Sequence, residues 1–424
     1  MQDNEKKPAL RFKGFTDPWE QRKLDEEFDF TVPNNTLSRA ELNQESGSVR
    51  NVHYGDVLIK YGSVLDVQND ELPFITGRSK DDFKGALLQN GDIIIADTAE
   101  DETTGKVCEI VNIQDKDVVA GLHTMVCRPK NKTAEGYFGY YMNSSSYHHQ
   151  LLPLMQGIKV LSLSKTNVQK TTVKYPKDKA EQQKIADCLR RIDTLITLHQ
   201  RKYEKLVNIK KSMLNKMFPP NGASVPEIRF KGFTDPWEQR KLDEIANFSK
   251  GVGYSKNDLC EEGTPIILYG RLYTKYETCI FDVDTFVKEK AGSVYSKGGE
   301  VIVPASGETA EDISIASVVV KPGILLGGDL NIVSPTTEYD SAFLALTISS
   351  GAAHKYLSSL AQGKSVVHLH NADIQSVSAK FQTKREQEKI HLLFGKIDTL
   401  ITLHQRKLEK LQNIKKSCLE KMFV

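Results

Sequence analysis

The stretch IDTLITLHQRK, residues 192–202, returns without change as residues 397–407. The match continues into the segments YEKLVNIKKSMLNKMF and LEKLQNIKKSCLEKMF that follow. A second repeat, RFKGFTDPWEQRKLDE, spans residues 11–26 and 229–244. The chain therefore contains the same series of segments twice: a leading segment, a variable region and a long helix. We call the leading segments and long helices the frames. Near-identical frames around divergent variable regions indicate that the frames share one task while each variable region has its own.

The repeat sets the predicted domain boundaries, and 424 residues are enough for more than one core. Asp178 with Glu181, and Thr383 with Glu386, have the spacing of a capping box and mark the predicted helix starts. The predicted order is a leading segment at 1–26, a first variable region at 27–177 (region 1), a long helix at 178–218, a linker and second leading segment at 219–244, a second variable region at 245–382 (region 2) and a long helix at 383–424.

Both variable regions show a mixed α+β pattern. Short runs rich in Val and Ile, bounded by Gly, Asn and Asp, are typical of β-strands. The predicted strands are 57–59, 92–96, 108–113 and 124–127 in region 1, and 265–268, 300–303, 317–320 and 331–333 in region 2, with helices at 136–154 and 341–360. Matching anchors, GDII at 91–94 and GEVI at 299–302, predict one fold with two different surfaces.

The long helices carry an apolar seam. In the first helix Ile192, His199 and Leu206 recur every seven residues, with Leu195 interleaved. Such a heptad favours a coiled coil, and the nearest partner for each helix is its own copy. We therefore expect two antiparallel helices related by a pseudo-twofold axis. The side chains expected to pair them are Ile192, Leu195, His199, Leu206, Ile397, Leu400, His404 and Leu411.

His199 and His404 fall in the middle of this seam and should lie close together. A polar pair inside a coiled coil fixes its register, which is the interpretation we favour. A metal or proton-switch role stays open, because imidazole suits both. No further cluster of His, Cys or carboxylates in the sequence supports a metal.

Charge is unevenly distributed, although the net charge of the whole chain is only +2. The two long helices carry +10 and the remainder −8, so basic helices join mildly acidic regions. A Lys-rich helix face is either solvated or directed at a phosphate or protein partner.

Several function classes find no support in the sequence. It contains no run of ~20 apolar residues, its polar start lacks a signal-peptide pattern, and its six cysteines are scattered, so a cytoplasmic chain with reduced thiols is expected. The motifs GxxxxGK[ST], GxSxG and HExxH do not occur. Acidic loops at 97–102 and 308–312 could hold Mg²⁺ for a nuclease, but a solvated loop is favoured. We do not expect the chain alone to be an enzyme.

The repeated helix pattern resembles a known family. The runs EQQKIA at 181–186 and EQEKI at 386–390, each followed by IDTLITLHQRK, together with the repeated FKGFTDPWEQRKL, resemble the specificity (S) subunit of type I restriction-modification systems. The resemblance covers essentially the whole chain. One departure is His391, where the first copy has Ala186.

The resemblance implies a non-catalytic subunit that binds double-stranded DNA. Regions 1 and 2 would be target-recognition domains, each reading one half of a bipartite target in the major groove. The helices would set the spacing and dock two methyltransferase (M) subunits, and restriction (R) subunits would join them to complete a DNA adenine methyltransferase and endonuclease. S-adenosylmethionine, ATP and Mg²⁺ are expected in those partners, with no cofactor or metal in this chain.

Loops that combine basic, amide and aromatic side chains supply the DNA-binding candidates, because such groups read base edges and contact phosphates. The strongest cluster is YGRLYTKY at 269–276, since an arginine flanked by aromatics is costly to leave unused. The candidates are Lys60, Tyr61, Arg78, Lys80, Lys84 and Lys159 in region 1, and Tyr269, Arg271, Tyr273, Lys275, Tyr276, Lys364 and Ser365 in region 2.

The alternative function is a protein-interaction scaffold with a coiled-coil core, which the mildly acidic regions favour slightly. Salt separates the two hypotheses, because binding to DNA weakens steeply as salt rises.

Overall fold

The computed structural model describes residues 7–220 and 222–424. The chain separates into two compact units, one made of Met1–Leu198 with Lys407–Val424 and the other of His199–Arg406. Unit 1 thus contains region 1, the first part of the first long helix and the last part of the second; unit 2 contains region 2 and the remaining parts. None of the helices in the described ranges has the length and apolar character that crossing a membrane requires.

The first half of the chain contains two main sheets and two short ladders. Its strands are β1 (Glu20–Lys23), β2 (Phe28–Asp29), β3 (Leu42–Asn43), β4 (Val49–Val52), β5 (Val64–Asp66), β6 (Phe74–Ile75), β7 (Ile93–Ala96), β8 (Thr98–Ala99), β9 (Val107–Val111), β10 (Asp117–Ala120), β11 (Thr124–Pro129), β12 (Leu161–Ser162) and β13 (Thr172–Tyr175). Its helices are α1 (Leu24–Glu27), α2 (Tyr54–Ile59), α3 (Tyr137–Met142), α4 (Ser145–His148), α5 (Lys165–Gln169) and α6 (Lys179–Met217). The sheet orders are β2-β11-β7-β9-β5 and β10-β4-β6-β3.

The second half repeats this plan. Its strands are β14 (Glu238–Lys241), β15 (Ala246–Lys250), β16 (Leu259–Cys260), β17 (Thr264–Ile267), β18 (Cys279–Ile280), β19 (Phe286–Val287), β20 (Glu300–Pro304), β21 (Ser306–Gly307), β22 (Ser317–Val319), β23 (Leu325–Leu326), β24 (Leu330–Pro335), β25 (Val367–His368) and β26 (Ser378–Phe381). Its helices are α7 (Leu242–Ile245), α8 (Arg271–Thr274), α9 (Ala310–Ile313), α10 (Ser341–Ile348), α11 (Gly351–Leu360), α12 (Asn371–Gln375) and α13 (Lys384–Lys421). The order β15-β24-β20-β22-β18 is that of the first five-stranded sheet.

The matching sheets confirm the predicted α+β class and the predicted common fold of the two regions. In both five-stranded sheets only the last pair is parallel, β5 with β9 and β18 with β22. The central strands β7 and β9 are buried along their whole length. This burial explains why their sequences are continuous apolar runs rather than alternating ones.

Three local predictions are wrong. Residues 57–59 form the end of helix α2 rather than a strand, and the His53 side chain caps this helix by accepting from the Gly55 N–H at 3.1 Å. The predicted helix at 136–154 is divided into α3, α4 and a short 3-10 turn. The predicted helix at 341–360 is divided into α10 and α11, with Gly351 at a φ of 63°.

A buried ion pair fastens each leading segment to the start of a long helix. Arg11 donates from Nε and Nη2 to the two oxygens of Glu181 at 2.7 and 2.8 Å, and the Glu181 side chain is 2% exposed. Arg229 and Glu386 make the same pair at 2.7 and 2.8 Å in unit 2. Bidentate pairs of this kind are strong and directional. Each leading segment is therefore held in a defined position on its helix.

The ion pairs correct the predicted capping boxes. The carboxylates of Glu181 and Glu386 bind arginine rather than a backbone N–H of their own helix start. Asp178 does cap the first helix, because its Oδ1 accepts from the Ala180 N–H at 2.8 Å.

An aromatic side chain from the end of a long helix completes the core of each unit. Phe423 packs edge-on against Trp19 in unit 1, with ring centroids 6.5 Å apart. Phe218 takes the same place in unit 2, at 5.9 Å from Trp237 and 5.4 Å from Phe343. Both phenylalanines are less than a tenth exposed. Each unit is thus closed by the end of the helix that follows the other region.

Candidate nucleic-acid interface

The basic candidates of region 1 lie at the surface. The exposed side chains are Lys60, Arg78, Lys80, Lys84 and Lys159. Lys60 has a partner within the region, since its ammonium donates to the Glu71 carbonyl at 2.8 Å and lies 3.6 Å from the Glu71 carboxylate.

Tyr61 lies inside region 1, and its prediction as a DNA contact is wrong. Its side chain is 4% exposed and packs in an apolar cluster beneath β7 and β9. The hydroxyl donates to the Glu71 carbonyl at 3.2 Å, and burial raises its pKa well above the ordinary value. A ring that is needed in the core cannot reach a groove of DNA.

Arg78 and Lys84 line one cleft of about 370 Å³ together with Asn34 and Asn35. The Asn35 amide is used inside the region, because it donates to the Ala120 carbonyl and to Asn51 Oδ1, both at 2.8 Å, and accepts from the Leu37 N–H at 3.0 Å. The Asn34 amide makes one such bond, to the Gly121 carbonyl at 3.2 Å. Amide and guanidinium groups side by side are the chemistry that reads base edges. The sequence reasoning missed Asn34, although the run PNNT at 33–36 was a signal for a polar loop.

Arg271 makes ion pairs within region 2, and its role as a DNA reader stays a prediction. Its side chain is 9% exposed and donates to Asp284 at 2.6 Å and to Glu277 at 2.9 Å. Lys275 and then Arg271 hold the pKa of Asp284 at about 2. Both terminal nitrogens of the guanidinium are therefore engaged within the region, whereas its buried Nε has no hydrogen-bond partner.

The remaining residues of this cluster are partly accessible. Tyr269 and Tyr273 are half-buried and pack edge to face with centroids 6.2 Å apart. Lys275 keeps 54% of its side chain exposed despite its ion pair, and Tyr276 is 38% exposed. Lys275 and Tyr276 are thus the more exposed members of this group.

Corresponding loops, here called the tip loops, project from both regions at 157–160 and 363–366. They carry the candidates Lys159, Lys364 and Ser365, all exposed. Gly157 and Gly363 open the loops with φ of 124° and 135°, and a Cβ on either would collide with the carbonyl oxygen three residues later. Only glycine fits such a turn. The two regions therefore share one loop conformation with different side chains at its tip.

The long helices run antiparallel within each unit. In unit 2 His199 faces His404 and Lys210 faces Asp398, so the partner number falls as the residue number rises. The less exposed positions of α6 recur at alternating spacings of four and three: Ile192, Ile196, His199, Tyr203, Leu206, Lys210, Met213 and Met217. This is the seam of a heptad coiled coil.

The predicted seam was one residue out of register at its interleaved positions. Leu195 and Leu400 were expected to pair the helices, but each is 43% exposed, whereas Ile196 and Ile401 are half-buried. Neighbouring residues of a helix point about 100° apart, so a shift of one residue moves a side chain off the seam.

The displaced apolar residues form an exposed stripe on each helix. On α6 it consists of Leu195, Leu198, Lys202, Lys205 and Ile209, and on α13 of Leu400, Leu403, Lys407, Lys410 and Ile414. The spacing of three and four residues keeps each set on one side of its helix. The apolar members are 38–44% exposed, and their exposure is nearly the same in both copies. Two equal surfaces of mixed apolar and basic character result.

The two seam histidines meet as expected, with Nδ1 atoms 2.7 Å apart and ring centroids 5.0 Å apart. This distance fits an N–H···N hydrogen bond in which one imidazole donates and the other accepts. Across the described ranges, which include both acidic loops, no group of three or more His, Cys, Asp or Glu side chains could hold a metal ion. The geometry thus favours a register-fixing pair.

The comparisons with known proteins agree with this architecture. The model of the type I restriction modification DNA specificity domain matches residues 16–208 and 234–413. The specificity subunit of the type I restriction enzyme MjaVIII of Methanocaldococcus jannaschii is 23% identical over 257 residues, which are 58% of this chain and 60% of that protein. The aligned part is therefore less than two thirds of the relative's length.

The structure of an S subunit shares the fold. The S subunit of a type I restriction-modification system from M. genitalium superposes with a TM-score of 0.60 at 15% identity, covering 99% of both chains. The HsdS subunit from Thermoanaerobacter tengcongensis gives a TM-score of 0.43 at 15% identity, covering 97% of this chain and 98% of that one. Because the family model matches both halves, each with its region and most of its long helix, the chain belongs to the family of type I restriction-modification DNA specificity subunits.

Proposed function

We propose that this chain gives a type I restriction-modification complex its sequence specificity, with regions 1 and 2 each reading one half of a bipartite target in the major groove. The observation that carries the proposal is that the same strand orders occur twice, in near-identical frames, with different side chains on the surface. A single contiguous target would need only one such region. Two regions of one fold and different chemistry suit two different half-sites.

Arg78, with Asn34 in the same cleft, has the groups that read base edges, so we assign base contacts in region 1 to this cleft. The lysines at the rim and at the tip loops suit phosphate contacts, which position a protein without reading sequence. The residues retained as DNA contacts are Lys60, Arg78, Lys80, Lys84, Lys159, Lys275, Tyr276, Lys364 and Ser365.

The exposed stripes are the proposed docking surfaces for two M subunits. Leu195, Leu198 and Ile209 cannot be buried by the helix seam, and their copies on α13 are equally exposed. Apolar residues that recur at one surface mark a partner site. Because the stripe occurs twice with identical residues, it suits two copies of one partner. R subunits would join this complex in the cytoplasm, and the chemistry of S-adenosylmethionine, ATP and Mg²⁺ would reside in the partners.

Genome-wide mapping of methylated adenines tests the proposal. The chain and its M subunit are expressed in a host that lacks other methyltransferases, and methylated bases are read by single-molecule sequencing. We expect a motif of two specified parts separated by unspecified bases. A contiguous motif would overturn the proposal.

Two variants localise the readout. Arg78→Ala should relax specificity in one half of the motif, because a guanidinium contact to a base is worth about 1–3 kcal/mol. Arg240→Ala is the matched control, since Arg240 is an exposed arginine outside region 2 that pairs with Glu238 at 2.7 Å. It should leave both halves of the motif unchanged.

A further inference from the structure

A contact of three side chains ties region 1 to the long helices. Asp193, within the repeated IDTLITLHQRK stretch, accepts the Lys415 ammonium on Oδ1 at 2.6 Å and the Tyr140 hydroxyl on Oδ2 at 2.8 Å. The Lys415 ammonium also lies 5.9 Å from the centre of the Tyr140 ring, close enough for a cation–π attraction. We call this contact joint 1.

Unit 2 contains the same contact with a different hydroxyl. Asp398 accepts the Lys210 ammonium on Oδ1 at 2.5 Å and the Thr278 hydroxyl on Oδ2 at 2.9 Å. The Lys210 ammonium lies 5.7 Å from the centre of the Tyr276 ring. We call this contact joint 2.

The two hydroxyls reach the carboxylate from different elements. Tyr140 belongs to α3, whereas Thr278 stands in the turn before β18. The residue before the matching strand β5 of region 1 is Ser63, and its hydroxyl accepts from the Asn143 amide at 3.1 Å. The Asp–Lys pair occurs twice because both residues belong to the repeated helices. The hydroxyl group comes from the variable region, and it is supplied from a different position in each region. Two separate structural routes to one contact indicate that the contact itself is required.

The joints are second points of attachment. Each region also contacts the start of its helix, where the side-chain oxygens of Gln182 and Gln387 accept from a backbone N–H of the region at 3.1 and 2.9 Å. Asp193 and Asp398 stand eleven residues further along, or about 16 Å at ~1.5 Å per residue. If the second attachment point shifts by about 1 Å at that distance, the region rotates on its helix by only about 4°.

Apolar packing fixes the angle between a region and its helix less well than the joints do. Ile192 and Ile397, one residue before the aspartates, are the last side chains of this face below a tenth exposed, and Leu195 is 43% exposed. Packing is non-directional and tolerates sliding. A hydrogen bond to a carboxylate is directional. The joints therefore act where the packed interface ends.

We propose that Asp193 and Asp398 are positioning residues that fix the angle of regions 1 and 2 on the helices, and that the joints thereby set how strictly the complex measures the spacer between half-sites. The repeated helices supply the same aspartate–lysine pair twice, and each region supplies its own hydroxyl group. This inference rests on the proposed function, since it concerns the reading of a bipartite target.

Removal of single hydroxyl groups tests the joints in the assembled complex. Tyr140→Phe opens joint 1 and Thr278→Val opens joint 2, each with little change in shape. The matched control is Tyr147→Phe, because the Tyr147 hydroxyl bonds to the Thr171 hydroxyl at 2.9 Å inside region 1. All three variants lose one hydrogen bond, but only the first two lose an attachment to the helices.

The readout is methylation of a library in which the spacer is one base pair shorter or longer than in the wild-type target. For Tyr140→Phe and Thr278→Val we expect methylation of these sites, relative to the correct site, to rise about tenfold, or about 1.4 kcal/mol of lost discrimination. The specified bases should stay the same. Tyr147→Phe should behave as wild type. Equal spacer tolerance in Tyr140→Phe, Tyr147→Phe and wild type would overturn the inference.

A measurement without DNA separates this inference from the proposed function. Spin-labelled non-canonical amino acids at Lys80 in region 1 and Thr197 on α6, both exposed, report the angle of the region on the helix. The distance distribution should broaden in Tyr140→Phe and not in Tyr147→Phe. If it does so while the wild-type motif proves contiguous, the joint is retained and the proposed function fails. An unchanged distribution refutes the joint whatever the motif.

Discussion

The exposed stripe of α6 makes a quantitative prediction about partner docking. The triple variant Leu195→Ala, Leu198→Ala and Ile209→Ala removes its apolar atoms while alanine preserves the helix. Full burial of a Leu or Ile side chain stabilises by about 1.5–3 kcal/mol, and these residues keep 43%, 44% and 38% of their surface exposed. A partner that covers this exposed part of the surface therefore gains about 1 kcal/mol from each residue.

The expected loss for the triple variant is about 2–3 kcal/mol, or a roughly 30- to 150-fold weaker affinity for one M subunit. Titration of the M subunit with light scattering after size exclusion measures both affinity and stoichiometry. The wild-type chain should bind two M subunits. At an M concentration well above the dissociation constant of an intact site and well below that of the weakened one, the triple variant should retain one, because the stripe on α13 is intact.

Two controls sharpen this prediction. The copies of these residues, Leu400, Leu403 and Ile414, should give the same loss when they are changed to alanine. Leu392→Ala should have no effect, because Leu392 is 55% exposed on the same helix but its counterpart in the first copy is Asp187, so it lies outside the repeated stripe. Wild-type affinity and stoichiometry in the triple variant would refute the assignment, as would an equal loss in Leu392→Ala.

Three further predictions concern stability. Arg11→Met should lower the free energy of unfolding by about 3–5 kcal/mol, because it leaves the buried Glu181 carboxylate unpaired, whereas Arg11→Met with Glu181→Met should recover most of this in denaturant unfolding. Phe423→Ala should cost about 3–5 kcal/mol by the same measurement, since the ring is 4% exposed in the core of unit 1; a loss below about 1 kcal/mol would contradict the packing. Burial raises the pKa of Glu109 to about 7, although the backbone N–H groups of Gly136 and Gly139, which donate to its carboxylate, act to lower it. Its contribution to stability is therefore full below about pH 4.5 and lost as the pH rises through 7, so thermal midpoints at pH 5 and pH 8 should differ less in Glu109→Gln than in wild type.

The repeats made much of the fold predictable. Near-identical frames located the two regions and the long helices, and Asp178 and Thr383 placed the helix starts within one residue. Strands such as β7 and β24 were found because β-branched runs bounded by turn residues are typical of buried strands. Residues 57–59 were missed because a short apolar run fits a helix equally well.

The seam and the site depended on neighbours that the local pattern does not reveal. Leu195 and Ile196 are both apolar, so a heptad can be continued through either, and only packing against the second helix selects Ile196. Arg271 looked unused because its partner Asp284 stands 13 residues away. The joints were invisible for the same reason, since Asp193 and Tyr140 are 53 residues apart.

An exchange of region 1 tests the division of labour between regions and helices most directly. Residues 27–177 are replaced by the corresponding region of another family member with a different target, and methylated adenines are mapped with the same M subunit. The account predicts a motif in which one half is new while the other half and the spacer length are unchanged. A change in both halves, or a motif that is no longer split, would contradict it.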